Sequence, residues 1–140
     1  MSRVFWDTNL FIYLIEDSGE RGARVGQLAQ RIMERKDQLC TSTLTLGELL
    51  VKPKEAGNQA LCQKYEAVLS QNVELIPFDE DAARLYAVMR QDRTIRAPDA
   101  IQLACAAQAE VDLFITNDDR LSQKVVPGVQ FITSLSRAFL

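Results

Sequence analysis

Histidine is absent from the 140 residues of this chain. Without an imidazole, the protein has no Ser-His-Asp or Cys-His mechanism and no histidine ligand for zinc. Cysteine is scarce: Cys40, Cys62 and Cys105 are odd in number, far apart and without a C-x-x-C pair. The sequence therefore indicates neither a disulfide framework nor a cysteine-rich metal site. We expect three small, buried thiols in a reducing compartment.

Long apolar runs and an excess of basic charge are also missing. The apolar run 10–15 stops at Glu16, well short of the ~20 residues that cross a bilayer, and the N-terminus shows no apolar secretion signal. We expect a soluble, cytoplasmic protein without membrane contact. A net charge of −3 means that nucleic-acid binding would need a local basic patch or bridging cations. The length and the 47% hydrophobic content predict a single domain over residues 1–140.

Short apolar, β-prone runs alternate along the chain with stretches whose apolar residues recur at helical spacing. Parallel strands need crossover connections, which helices usually supply. The alternation therefore predicts an α/β fold, a three-layer α/β/α sandwich around a mostly parallel central sheet of four to five strands. The predicted strands are Arg3–Trp6, Gln38–Thr41, Val73–Ile76, Leu113–Thr116 and Val129–Ile132.

Three residues indicate where helices begin or end. The helix that starts near Thr43 is predicted to end at Lys52-Pro53, because the residue before a proline disfavours helical backbone. Asp79 is a good N-cap, and Pro98 fits the first turn of a later helix.

Acidic residues recur at the edge of the sheet where ligands bind in open α/β folds, beyond the carboxyl ends of the strands. Asp7 directly follows the first strand, and Asp118 lies two residues past Thr116. Asp99 lies in a first helical turn, and Glu48 lies on the helix after the second strand. Four converging carboxylates repel one another unless a cation neutralises them, and all-oxygen ligands favour Mg²⁺ or Mn²⁺.

Each acid also has a purely structural interpretation. Asp7 can cap the helix that follows it, and Thr45-Leu46-Gly47-Glu48 matches a capping box. Asp99 is favourably placed at a helix N-terminus, and Asp118 can belong to a polar turn. The recurrence of acids at one edge favours function, as do their hydroxyl and amide neighbours Thr8, Asn9 and Thr116.

Four motifs carry these acids in order: Val4–Asn9 (VFWDTN), Thr43–Leu49 (TLTLGEL), Arg96–Ala106 (RAPDAIQLACA) and Phe114–Asp118 (FITND). Their order and spacing resemble the signatures of PIN-domain ribonucleases, particularly the small VapC-like toxins of VapBC toxin–antitoxin systems. The resemblance covers nearly the whole chain.

The resemblance implies a PIN-like fold and a Mg²⁺- or Mn²⁺-dependent endoribonuclease that hydrolyses RNA phosphodiester bonds. It further implies a homodimer and, for a toxin, a small antitoxin protein that binds a helical groove near the acids. The metal-binding acids would be Asp7, Glu48, Asp99 and Asp118, with hydrogen-bonding support from Thr8, Asn9, Thr116 and Asn117.

The fourth motif departs from the family in two places. Many relatives have an aromatic residue where this chain has Leu121, and Asp119 duplicates the neighbouring acid. We assign Asp118 as the fourth acid because its spacing from Thr116 matches the family. Among the nearby basic residues, Arg96 is the best placed to contact an RNA phosphate.

Two other functions remain open. One is a catalytically silent PIN-fold module that binds protein or RNA. The other is an unrelated α/β domain that transfers phosphoryl groups through a strand-end aspartate, although Asp7 has no D-x-D partner.

Overall fold

The computed structural model describes residues 1–140. Its five strands form one parallel sheet, with the first strand at the centre. They are β1 (Arg3–Trp6), β2 (Gln38–Ser42), β3 (Val73–Ile76), β4 (Leu113–Thr116) and β5 (Phe131–Ser134), in the order β3-β2-β1-β4-β5. The carboxyl ends of β1 and β4 are therefore neighbours, which brings Asp7 and the segment after Thr116 to one edge.

Helices cover both faces of this sheet, so the predicted three-layer sandwich is confirmed. The helices are α1 (Thr8–Glu16), α2 (Glu20–Arg35), α3 (Thr43–Glu55), α4 (Gln59–Gln71), α5 (Glu80–Met89), α6 (Ala97–Gln108) and α7 (Asp119–Ser122), followed by a 3₁₀ turn at Leu135–Arg137. None of them combines the length and apolarity that crossing a bilayer requires.

Successive side chains of a strand point to opposite faces of the sheet, so the hydrophobic core has two parts, one on each face. Val4 and Trp6 point toward the layer of α1 to α4, whereas Phe5 points toward α5 and α6. The Phe5 ring stacks on Phe114 of the neighbouring strand at a centroid separation of 5.0 Å. The three cysteines are buried and unpaired, as the sequence predicted. Both layers anchor the central strands, and so fix the edge where Asp7 lies.

The predicted end of α3 is wrong. The helix continues through Lys52 and the buried Pro53 to Glu55. It ends where Gly57 adopts a left-handed backbone (φ +66°) and the Asn58 N–H donates to the Pro53 carbonyl at 2.8 Å. This is a Schellman motif, which glycine favours at the end of a helix. The glycine therefore ends the helix, and the proline is accommodated in its last turns.

The last strand is also displaced from its prediction, whereas β1, β3 and β4 match theirs and β2 is longer by Ser42. β5 begins at Phe131, two residues after the predicted Val129. Gly128 turns the chain with φ +84°, and Val129 is buried in the core as part of a loop. In the sequence, the apolar Val129 was therefore indistinguishable from the first residue of a strand.

Candidate active site

Asp7 both caps a helix and joins two strands. It is the N-cap of α1, and its Oδ1 accepts a hydrogen bond from the Thr8 N–H at 2.8 Å. Its Oδ2 accepts from the Thr116 hydroxyl, at the end of β4, at 2.9 Å. The structural interpretation of Asp7 is therefore correct, and the contact with Thr116 goes beyond capping.

Thr116 connects Asp7 to Asp118. Its buried hydroxyl donates to Asp7 and accepts from the Asp118 N–H at 3.1 Å. The Asp118 carboxylate caps α7, because Oδ1 accepts from the N–H groups of Arg120 and Leu121 at 2.9 and 3.2 Å. Neighbouring strands thus deliver two of the predicted acids to one place.

Glu48 is not part of a capping box. The N-cap of α3 is Ser42, whose hydroxyl accepts from the Thr45 N–H at 3.4 Å, so Thr45 already lies inside the helix. Glu48 lies one turn further along, and its Oε1 accepts a hydrogen bond of 2.6 Å from the Thr8 hydroxyl. This bond ties α3 to the first turn of α1, directly after Asp7.

Asp99 lies half-buried in the first turn of α6 and accepts no hydrogen bond. Burial, together with the negative charges of Asp7, Asp118 and Glu48, raises its pKa to about 6, and the Arg96 guanidinium opposes this rise. Burial also raises the pKa of Asp7, with smaller contributions from the charges of Glu48 and Asp118. The other three predicted acids therefore lie close enough for their charges to act on Asp99.

The Asp119 side chain makes no hydrogen bond within this cluster. The charge of Asp118, in contrast, raises the pKa of both Asp7 and Asp99, after the larger effect of burial. Asp119 is the first residue of α7, and the residue before it supplies the cap. The geometry supports Asp118 as the fourth acid.

The four predicted supporting residues divide into two pairs. Thr8 and Thr116 hydrogen-bond directly to the acids. The Asn117 side chain instead donates to the Tyr13 hydroxyl at 2.8 Å, and the Asn9 side chain is exposed. Among the side chains of this set, only the two hydroxyls hydrogen-bond to carboxylates.

A cleft of about 990 Å³ opens beside Asp99 and Asp118 and has cations at its walls. Arg96 lines it, together with Arg120 and Lys124, which sequence reasoning missed. Those two residues follow the fourth motif in a polar stretch without a recognisable pattern. Lys124 is paired with Asp92 at 2.9 Å, and no side-chain ion pair engages Arg96 or Arg120.

Sequence reasoning also missed Gln102, on α6. Its side-chain amide is 1% exposed and hydrogen-bonds to Thr8, Thr45 and Ser42. The available signal is a single amide three residues after Asp99 in an otherwise apolar helix segment.

The donor set of the cluster suits a hard divalent cation. All its ligating atoms are carboxylate and hydroxyl oxygens, and the Asp99 carboxylate has no hydrogen-bond partner. No group of three or more Asp, Glu, Cys or His side chains is already arranged around a single point as a metal site. The hydrogen bonds of Asp7 and Asp118 direct oxygens toward Thr116 and α7. Waters would therefore complete the shell of an ion, as Mg²⁺ prefers.

Solved structures with a similar fold include proteins of toxin–antitoxin systems. VapBC2 from Rickettsia felis, bound to a promoter DNA fragment, has a TM-score of 0.76 at 14% identity, covering 94% of this chain and 98% of that chain. A toxin–antitoxin complex from Klebsiella pneumoniae has a TM-score of 0.66 at 27% identity, covering 90% and 94%. VapC20 from Mycobacterium tuberculosis, a sarcin-ricin loop cleaving toxin, has a TM-score of 0.67 at 19% identity, covering 90% and 98%.

A search of curated protein sequences finds no match. The sequence does match the PIN domain family over residues 4–126, a span that includes all four acids and Gln102. The chain therefore belongs to the PIN-domain family.

Proposed function

We propose that this protein is a metal-dependent endoribonuclease that hydrolyses RNA phosphodiester bonds, and that it is the toxin of a type II toxin–antitoxin pair in the cytoplasm. One observation carries the proposal. The four acids that the PIN motifs predict lie together at one sheet edge, where burial and the charges of the neighbouring acids raise the pKa of Asp99 and Asp7. Such a cluster is stable in its ionised form only with a positive partner.

Asp7, Glu48, Asp99 and Asp118 would hold Mg²⁺ or Mn²⁺, directly or through water. When bound, such an ion supplies an activated water near neutral pH and offsets the negative charge that develops on phosphorus. The protein's contribution is orientation. Thr116 holds Asp7 and Thr8 holds Glu48. A remaining carboxylate would orient the attacking water.

RNA binding would rely on local cations, because the net charge of the chain is −3. Arg96 lies at the N-cap of α6, beside Asp99, and Arg120 lines the same cleft. Arginine is well suited to contact phosphate, and these contacts position a nucleic acid without reading its sequence. We propose Arg96 as the principal phosphate contact.

We further propose a homodimer and a small antitoxin protein as partners. The similar Rickettsia felis structure is a VapBC complex and the Klebsiella pneumoniae structure is a toxin–antitoxin complex, which supports the antitoxin. A groove of about 550 Å³ between α1, α3 and α4 reaches Glu48 and is lined by apolar residues such as Ile12 and Val51. An antitoxin helix seated there would reach the acids and block RNA.

The test is incubation of the purified protein with total cellular RNA in Mg²⁺, in Mn²⁺ and in excess chelator. We expect discrete fragments with metal, and at least a 100-fold loss of cleavage in Asp99→Asn, whose fold should be unchanged. Asp81→Asn, on the exposed face of α5, is the matched control and should cleave like wild type. Near-wild-type cleavage by Asp99→Asn would refute the site. Intact RNA in every lane from a protein that still binds metal would favour the silent binding module.

A further inference from the structure

We propose that Gln102 is a positioning residue that fixes the hydroxyl of Thr8 and, through it, the carboxylate of Glu48. The inference rests on the proposed function, because it assigns a role within the same acid cluster. It follows from the hydrogen bonds of one buried amide and from the number of protons that each group can donate.

Gln102 lies where an apolar side chain would be expected. It is 1% exposed on α6, and its neighbours Leu103 and Ala104 are fully buried. A buried amide destabilises the fold unless its donors and acceptor are hydrogen-bonded, so this one must have partners. Gln102 also lies three residues after Asp99, which places both side chains on the same face of the helix.

The partners of Gln102 come from three elements. Nε2 donates to the Thr8 hydroxyl at 3.1 Å and to the Thr45 hydroxyl at 2.8 Å. Oε1 accepts from the Ser42 hydroxyl. The amide thus uses both of its protons and its oxygen, and it links α6 to the first turns of α1 and α3.

The hydrogen-bond directions leave Thr8 with only one acceptor for its proton. The Thr41 hydroxyl proton serves the Trp6 carbonyl at 2.9 Å and the Thr45 hydroxyl at 2.7 Å. Thr45 therefore accepts from Thr41 and from Gln102, which together occupy both lone pairs of its oxygen. Thr8 also accepts from Gln102, and its single proton goes to Glu48 Oε1 at 2.6 Å.

Gln102 therefore decides which way the Thr8 hydroxyl points. The hydroxyl oxygens of Thr8 and Thr45 are 3.2 Å apart, so either hydroxyl could donate to the other in the absence of the Gln102 amide. With Gln102 donating to both oxygens, the Thr8 proton is left for Glu48. Removing the amide frees the Thr8 hydroxyl to turn toward Thr45 and leaves Glu48 without a fixed orientation. Residues that orient metal ligands in this way typically contribute 10–100-fold in affinity or activity.

The test is a double-mutant cycle in the RNA cleavage assay with Gln102→Met and Thr8→Val, which remove the amide and the hydroxyl at similar volume. Each single variant should lower kcat about 10–100-fold with little change in KM. The double variant should be no worse than the poorer single variant, because Gln102 acts through Thr8. Thr8→Ser should restore kcat to within about three-fold of wild type. Gln108 is the last residue of α6, and Gln108→Met is the matched control, which should cleave RNA like wild type.

A second readout does not depend on activity or on the stability of the Gln102 variant. In the NMR spectrum, Glu48→Gln should shift the side-chain amide signals of Gln102. Glu55→Gln, at the end of α3, the helix that also carries Glu48, should not shift them. If the wild-type protein cleaves no RNA, the proposed function fails and these shifts alone decide the inference. Additive losses in the cycle, or unmoved Gln102 amide signals in Glu48→Gln, would overturn it.

Discussion

Asp7 and Asp99 are the same side chain in two different environments. Both oxygens of Asp7 accept hydrogen bonds, from Thr8 and from Thr116, and these bonds oppose the effect of burial on its pKa. Asp99 has no such bonds, so burial and the neighbouring charges raise its pKa to about 6. Asp7 is therefore held in a fixed orientation, whereas Asp99 is the acid whose ionised form a bound cation would stabilise most.

The raised pKa of Asp99 predicts a pH-dependent effect of Asp99→Asn on stability. At pH 4 the folded protein keeps the Asp99 proton and the unfolded protein, where its pKa is 3.8, keeps much of it, so the variant should melt at nearly the same temperature as wild type. Between about pH 4 and 6 the unfolded chain releases this proton more readily than the folded protein, so the wild type loses stability across that range. The loss is complete once the folded carboxylate ionises above about pH 6. In chelator at pH 7.5, the variant should melt about 2–4 °C higher, an estimate reduced for the half-exposed position of Asp99.

Thermal melts of both proteins at pH 4 and pH 7.5 measure this difference. A gain in melting temperature that is the same at both pH values would contradict the account. Added Mg²⁺ should narrow the gap at pH 7.5, because it stabilises only the protein that binds it.

The ends of helices and strands show which elements the sequence specifies locally. β1 and β4 were predicted to the residue, since apolar runs end at polar residues that the sheet edge requires. The end of α3 was missed because the local effect of Pro53 was outweighed by the left-handed turn at Gly57. The start of β5 was missed because Val129 is buried in a loop, a fact that only tertiary packing decides.

Asp79 provides a test of local specification. It was predicted as an N-cap, and its Oδ1 accepts from the Ala82 N–H at 2.9 Å at the start of α5. Asp79→Ala should lower the free energy of unfolding by about 0.5–2 kcal/mol, measured by urea denaturation. Asp81→Ala, which removes an exposed pair with Arg84 and one acidic charge from the first turn of α5, should cost less than Asp79→Ala. Equal losses in the two variants would show that Asp79 is not an effective cap.

The site as a whole was only partly predictable. The four acids follow from the order of their motifs, because strand order in a parallel sheet brings strand ends together. Gln102 was not predictable, because its role depends on Thr8 and Thr45, which lie far from it in sequence. These contacts arise from the packing of α6 against α1 and α3, which residue spacing in the sequence does not predict.

At the scale of the whole molecule, charge distribution matters more than net charge. An acidic chain that binds RNA must do so through a few cations, and the cleft places Arg96 and Arg120 beside the acids. Each phosphate contact releases counterions, so the salt dependence of binding counts the contacts.

Arg96→Ala should therefore weaken RNA binding and lower the slope of log affinity against log salt by about 0.7, the value for one contact to a single strand. Binding measured at several salt concentrations in chelator separates this effect from cleavage. Arg84→Ala, on the exposed face of α5 and paired with Glu80 and Asp81, should leave the slope unchanged. A slope in Arg96→Ala equal to that of wild type would exclude Arg96 as a phosphate contact.

If the four carboxylates bind a divalent cation, calorimetric titration with Mn²⁺ at pH 7 should detect the binding. We expect the wild type and Asp119→Asn, which changes the acid outside the cluster, to bind Mn²⁺ equally well. Asp99→Asn should bind at least ten-fold more weakly, because it removes the carboxylate that has no other partner. Equal binding by wild type and Asp99→Asn, or no binding by wild type, would contradict the assignment of this site.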